Sequence, residues 1–467
     1  MGKVCFWRQK IFVVLCVLLL LPTAASAERA KLVFDENPAK LLKVEKKEDL
    51  KNYIEAHETF IAAAACLAAY HDRYGSMAIK ALEEEGWDII PYEHKGKDAD
   101  ARFFLAKKQF PGETRPFYLI AVTGTENSAD ISVDLRWGKI PFAPETYKTL
   151  NSNAAKVEND EPLVHEGFYQ YEQTAEKARF GQTLGAANDI LQELKDHPDQ
   201  KLFLVGHSLG GAVATLGGAQ MIADGIQPSQ IRVITFGAPA VGNEGFKRII
   251  GSKLKLLRVT MQGDPIPTVL RDIPGGYVQF GRELHFDVPD YFFYSPHDIT
   301  LYMDLALKRY FDARAQAAVT AGRLYPKQRT VAGSPLVYVA SLRAALPEKL
   351  QSEQPYMVEM LQLEASRFLP SYFLGEAASS DQAAIIAARE AGCDYVLVTE
   401  LVAKRSKDNA DTYDMTVEKR FYRVFDAKLL RQDMLSASTE KLTPLEVFFQ
   451  TVKDVRGKYQ EVIDRAS

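Results

Sequence analysis

The sequence predicts an α/β fold: a doubly wound, mostly parallel sheet with helices on both faces, followed by a smaller C-terminal α+β domain. Three observations carry this. Leu202–Val205 (LFLV) and Phe117–Val122 (FYLIAV) are short, continuously apolar runs, the pattern of strands covered on both faces. Strand candidates alternate with helical runs through the first two thirds of the chain, as a parallel sheet with crossover helices requires. Finally, LFLVGHSLGGAVATLGGAQM at Leu202–Met221 turns from an apolar run into a small-residue helix through G-H-S-L-G, a strand-to-helix elbow.

In chain order, Lys3, Arg8 and Lys10 precede the apolar run Ile11–Leu21, and Ala25-Ser26-Ala27 supplies an A-x-A cleavage site. Residues 1–27 therefore read as a secretory signal peptide, and the product is expected in the periplasm or outside the cell. An alanine-rich helix is expected at Ile54–Tyr70, another at Met77–Glu85, then strands at Asp88–Tyr92, Ala101–Ala106 and Phe117–Val122. A long helix at Thr174–Asp196 leads into the elbow, and strands follow at Arg232–Phe236 and Lys255–Met261. This unit is expected to span residues 28–322. Past a boundary near Arg323–Ser334, residues 335–467 read as a strand at Leu336–Leu342, a helical stretch to about Leu369, and a helix at Gln382–Ala391. Strands at Tyr395–Val402, Tyr413–Phe425 and Leu429–Ser438 and a last helix at Pro444–Asp464 complete it. The apolar parity of the second of these strands shifts around Lys419 and Arg420, which predicts a bulge there.

Composition bounds the function. The chain has 467 residues, 47% hydrophobic and 25% charged, an ordinary globular content for two or three domains. Loss of the signal segment takes away three positive charges and moves the formal net charge from −4 to −7, which argues against nucleic-acid binding. Of the four cysteines, Cys66 and Cys393 remain, expected as buried free thiols with a disulfide left open. No metal-binding motif such as H-E-x-x-H or an EF-hand loop is present, so neither a metal nor another cofactor is expected.

The chemistry gathers around Ser208. An elbow holds its central residue in a strained conformation at the sheet edge, and the flanking Gly206 and Gly210 remove the side chains that would clash. A serine there is exposed beside a helix N-terminus, where an oxyanion is favoured. The bland alternative is a turn serine. Asp264, past the carboxyl end of Lys255–Met261 in GDPIP, is the candidate acid, against the reading of an ordinary Asp-Pro turn. Downstream of it stand two histidines: His297, at the start of a helix, is the candidate base, while His285, in an alternating strand, reads as structural.

These segments resemble the class 3 (fungal-type) lipases of the α/β-hydrolases over about Ile54–Tyr310. GHSLGG, VHEGFYQ at Val164–Gln170, FGAPAVGN at Phe236–Asn243, GDPIP and HDITLY occur in the family's order. The resemblance implies a Ser208–His297–Asp264 triad and an oxyanion hole formed by the backbone N–H groups of Leu209 and Thr125. It implies a serine ester hydrolase acting on acylglycerols or shorter esters, with lipid or ester substrate as its partner and transient contact with a lipid surface. Thr123 and Ile131 depart from the family, which often has arginine and tryptophan in these places. Glu126–Trp137 sits where fungal lipases carry a lid, but its alternating pattern fits an extended flap or an edge strand equally. A phospholipase or thioesterase with the same triad is the alternative. A third reading is an envelope-binding protein with a vestigial hydrolase domain, its partner protein engaged by the C-terminal domain. The stretch AAREAGCDYVLVTEL weakly resembles small accessory domains of bacterial envelope proteins.

Overall fold

The computed structural model describes residues 47–70, 86–95, 100–109, 115–124, 138–142, 161–180, 190–271, 276–289, 295–320, 327–407, 411–439 and 442–453, with isolated positions between and after them. The signal segment, Thr125, the Glu126–Trp137 segment and most of Met77–Glu85 lie outside the described residues.

The central sheet has seven strands in the order β1-β2-β3-β6-β7-β8-β9: β1 (Asp88–Lys95), β2 (Asp100–Lys108), β3 (Phe117–Val122), β6 (Leu202–His207), β7 (Ile231–Phe236), β8 (Lys255–Met261) and β9 (Arg282–Phe286). The first three pair antiparallel; from β3 onward every pair is parallel. The small hairpin of β4 (Lys139–Pro141) and β5 (Leu163–His165) stands apart. Alternation along each strand divides the side chains between two cores. Phe203 and Val205 of β6, with Leu119 and Ala121 of β3 and Ile234 and Phe236 of β7, enter one core; Leu202, Leu204, Tyr118, Ile120 and Val233 enter the other.

Helices α2 (Glu166–Phe180), α3 (Ile190–Asp196), α4 (Leu209–Ala223) and α5 (Glu244–Ile250) serve the second core. The predicted helix Thr174–Asp196 is thus represented by the end of α2 and by α3, with 181–189 outside the described residues. The first core is covered by α1 (Lys47–Ala68) and α6 (Ile299–Thr320). The alanines of α1 are almost fully buried, and their small size lets the helix lie close to both the sheet and α6.

The C-terminal part is a mixed sheet in the order β10-β13-β11-β14-β15-β16, comprising β10 (Gln328–Arg329), β11 (Val337–Val339), β13 (Tyr372–Leu374), β14 (Tyr395–Arg405), β15 (Tyr413–Arg423) and β16 (Lys428–Ser438). The single strand predicted at Leu336–Leu342 is shorter than expected. β11 stops at Val339, the Ser341 N–H turns to the Glu376 carbonyl, and β12 (Arg343–Ala345) resumes pairing further along β14. Helices α7 (Gln354–Phe368) and α9 (Pro444–Lys453) and helix α8 (Asp381–Glu390) complete it, with α7 and α8 feeding separate apolar clusters.

The predicted bulge lies elsewhere. β15 alternates without a break, and the register slips where Phe421 faces Arg431 but Tyr422 faces Leu429, leaving Leu430 of β16 as the extra residue. Lys419 misled the pattern because it points inward: it is 2% exposed, and its amino group donates to the Thr451 carbonyl of α9. The four-methylene stem is apolar enough to line the core on the way.

Candidate active site

β6 delivers Ser208 at its carboxyl end with φ 57° and ψ −128°, a left-handed backbone that non-glycine residues rarely adopt. The flanking glycines make the turn possible. A Cβ on Gly206 would lie 2.2 Å from the Gly210 carbonyl carbon, and one on Gly210 would lie 2.3 Å from the Val122 carbonyl oxygen. Leu209 is the first residue of α4, so its N–H belongs to the first turn, whose donors have no intrahelical acceptor.

Asp264 follows β8 in the turn predicted for it, and His297 precedes α6. The structure brings both to Ser208. His297 Nε2 lies 2.9 Å from Ser208 Oγ, and its Nδ1 lies 3.0 and 2.9 Å from the two carboxylate oxygens of Asp264. All three residues are buried, Ser208 among them against the exposed position expected of it, and the Asp264 side chain is wholly so. A buried carboxylate needs partners. Asp264 has two more: the Ile266 N–H donates to Oδ1 at 2.9 Å and the Tyr302 hydroxyl to Oδ2 at 2.6 Å. Burial, reinforced by the Asp264 charge, pushes the Tyr302 phenol far above its ordinary value, so it stays a donor. Gly237, at φ 55°, closes the site from below: a Cβ there would stand 2.6 Å from Asp264 Oδ2 and 3.0 Å from His297 Nδ1.

A second histidine supports the first. His207 Nε2 lies 2.7 Å from the His297 carbonyl oxygen, to which it can only donate, so its Nδ1 accepts from the Tyr70 hydroxyl at 2.5 Å. Burial, with His297 alongside, drives the His207 pKa well below its ordinary value and keeps the ring neutral. Gly124 completes the packing, because a Cβ there would lie 2.5 Å from the Tyr70 hydroxyl. Thr123 ties the end of β3 to α1 by donating to the Ala69 carbonyl at 2.8 Å. Tyr70, His207 and Tyr302 were not singled out from the sequence, although His207 sits inside GHSLGG and Tyr302 ends HDITLY.

His285 and His165 stand apart from this arrangement. His285 is on edge strand β9, within 2.9 Å of the Thr260 hydroxyl. His165 caps α2 by accepting from the Phe168 N–H at 3.4 Å, and burial pushes its pKa down to about 4. Cys66 and Cys393 are buried free thiols. Among the described residues, no group of three or more His, Cys, Asp or Glu side chains is placed to hold a metal ion.

Residues 119–272 match the family model described as lipase (class 3). The chain is 32% identical over 137 residues to phospholipase A1-II 4 of Oryza sativa subsp. japonica, covering 27% of this chain and 34% of that protein. It is also 32% identical over 118 residues to secreted mono- and diacylglycerol lipase A of Penicillium cyclopium, covering 24% of this chain and 35% of the relative. The chain thus spans about a third of the length of these curated relatives. Among solved structures, the triacylglyceride lipase of Rhizomucor miehei is 20% identical, with 50% of this chain and 80% of that one covered and a TM-score of 0.39.

Proposed function

We propose, from the match of residues 119–272 to the class 3 lipase family model, that the protein is a serine hydrolase of lipid carboxylic esters, working through Ser208, His297 and Asp264. The observation that carries the reading is the unbroken chain of contacts from Ser208 Oγ through His297 to the Asp264 carboxylate, held on a serine in a strained backbone conformation. A purely structural serine has no need of that strain.

Neutral His297 takes the Ser208 proton through Nε2 as Oγ attacks the ester carbonyl. Asp264 holds Nδ1 protonated and stabilises the imidazolium that forms; the Tyr302 hydroxyl and the Ile266 N–H keep that carboxylate in place. The Leu209 N–H and the backbone N–H of Thr125 receive the oxyanion, and loss of one such donor typically costs about 10²- to 10³-fold in turnover. Imidazolium then protonates the leaving alcohol, and water repeats the cycle on the acyl-enzyme. The N-terminal pattern of residues 1–27 supports export of the mature enzyme.

A phospholipid acyl ester is the second reading, favoured by the match to a protein named phospholipase A1. Hydrolysis of an ester series from acetyl to long acyl chains, with phosphatidylcholine included and Ser208→Ala alongside, tests both. Ser208-dependent release with a long-chain acylglycerol optimum supports the first, and preference for the phospholipid supports the second. Release from no ester, together with no labelling by a fluorophosphonate, refutes both.

A further inference from the structure

Helix α6 is gripped from two sides. Towards the site it presents Tyr302 to Asp264, and His297 lies just before its first turn. Asp304 follows Tyr302 by two residues, about 200° around the helix axis, and Lys308 shares its face one turn on. Both side chains are buried, and there they meet the C-terminal domain. Thr443 Oγ1 donates to Asp304 Oδ1 at 2.7 Å. Lys308 Nζ lies 2.6 Å from Asp304 Oδ2 and 2.7 Å from Glu353 Oε2. Burial alone would lower the Lys308 pKa, but the two carboxylates outweigh it and raise it, so the lysine is charged.

Thr443 is itself fixed. Its N–H donates to Glu446 Oε2 at 2.8 Å and its Oγ1 accepts from the Glu446 N–H at 3.3 Å, a reciprocal capping box at the start of α9. Glu353 ends the short 3₁₀ turn that runs into α7. Further along, Tyr356 donates to Asp312 at 3.1 Å and Arg314 pairs with Glu359. Met303 and Leu307 share a continuous apolar core with Met357, Leu445 and Phe449. Apolar packing is non-directional and leaves a helix some freedom to rotate or slide. Buried hydrogen bonds at fixed distances do not, and their cost is hard to explain by stability alone, since apolar residues of similar volume would often hold as well.

We propose that Thr443 and Glu353, acting through Asp304 and Lys308, are positioning residues for His297, which makes the C-terminal domain a working part of the ester-hydrolysing unit. The inference rests on the hydrolytic reading above. Thr443 sets the rotation of α6 through Asp304, and Glu353 sets it again through Lys308; together they hold His297 Nε2 on Ser208.

The test uses the full chain with Thr443→Val, Thr443→Ser, Glu353→Gln and Ser208→Ala beside the wild type. The thermal midpoint, KM and kcat on a short soluble ester are measured, with kcat expressed per serine titrated to completion with a fluorophosphonate. Thr443→Val and Glu353→Gln are expected to keep KM within about two-fold and lose about 10- to 100-fold in kcat per titrated site, as displacement of a catalytic group by about an ångström does. Thr443→Ser is expected to restore the rate. Wild-type kcat per titrated site in the folded variants overturns the proposal, whatever happens to the midpoint, because a merely structural role changes the amount of folded enzyme and not its turnover. Should Thr443→Val fail to fold, Glu353→Gln, which leaves the capping box intact, decides alone. If Ser208→Ala equals the wild type, the hydrolytic reading falls and this proposal with it; if Ser208→Ala alone is inactive, only this proposal falls.

Discussion

Tyr302→Phe isolates one contact of the site. The substitution keeps the ring, which packs edge-on against Phe236 with centroids 5.9 Å apart, and removes only the hydroxyl that donates to Asp264 Oδ2 at 2.6 Å. A hydrogen bond to a buried charged acceptor contributes about 1.5–3 kcal/mol. Asp264 keeps His297 Nδ1 and the Ile266 N–H, so the carboxylate retains its orientation and the loss belongs near the lower end, about 1–2 kcal/mol. Expressed wholly in the transition state, that is a fall in kcat/KM of about 5- to 30-fold. The assay is initial-rate hydrolysis of a soluble short-chain ester, with the thermal midpoint recorded in the same buffer. A variant with wild-type kcat/KM would show that the hydroxyl does not support the carboxylate during turnover. A loss beyond about 10³-fold would refute the reasoning from the other side, since it exceeds what this single hydrogen bond can supply.

Gly237→Ala places a Cβ 2.6 Å from Asp264 Oδ2 at φ 55°, and activity is expected to fall on the order of 10²-fold with little change in KM; unchanged kcat would mean the pair can move aside freely. Burial, with Asp304 beside it, raises the Glu446 carboxyl well above its ordinary 4.5, so the folded state keeps a proton that the unfolded state releases. Stability from this group is therefore full below pH 4.5 and is lost as pH rises towards the folded value. Glu446→Gln should gain stability relative to the wild type between pH 4 and pH 8, read as urea midpoints, and a pH-independent difference would contradict this. Cys66 and Cys393 should resist a thiol reagent in the native protein and react only after unfolding, burial having pushed the Cys393 thiol up to about 11 and Cys66 higher than its ordinary value; rapid labelling without unfolding would show an open path to one of them.

The parallel sheet was legible because strands such as Leu202–Val205 and Phe117–Val122 are apolar without interruption, and burial on both faces is the condition that produces such runs. Ser208 and Asp264 follow apolar strands in loops marked by glycine and proline, and His297 stands just before a helix, so the residues that the structure brings together could be picked out one by one. Tyr302 and His207 could not. Their partners are distant in sequence, and a buried tyrosine reads like any other core aromatic until the carboxylate beneath its hydroxyl is placed. Lys419 failed for a related reason: a charge in an inward position imitates a change of parity, and its bond to the Thr451 carbonyl is made across the core. The contact between α6 and the C-terminal domain was equally hidden, because the partners of Asp304 and Lys308, Thr443 and Glu353, are distant in sequence.

That contact bears on how the protein can be cut. A chain ended at residue 322, where the sequence suggests the catalytic unit stops, would turn Asp304, Lys308 and Arg314 out to water together with the apolar surface of Met303 and Leu307 that Met357 and Phe449 now cover. Such a fragment would carry a greasy flank on the very helix that follows its histidine, and it would tend to clump instead of behaving as a minimal enzyme.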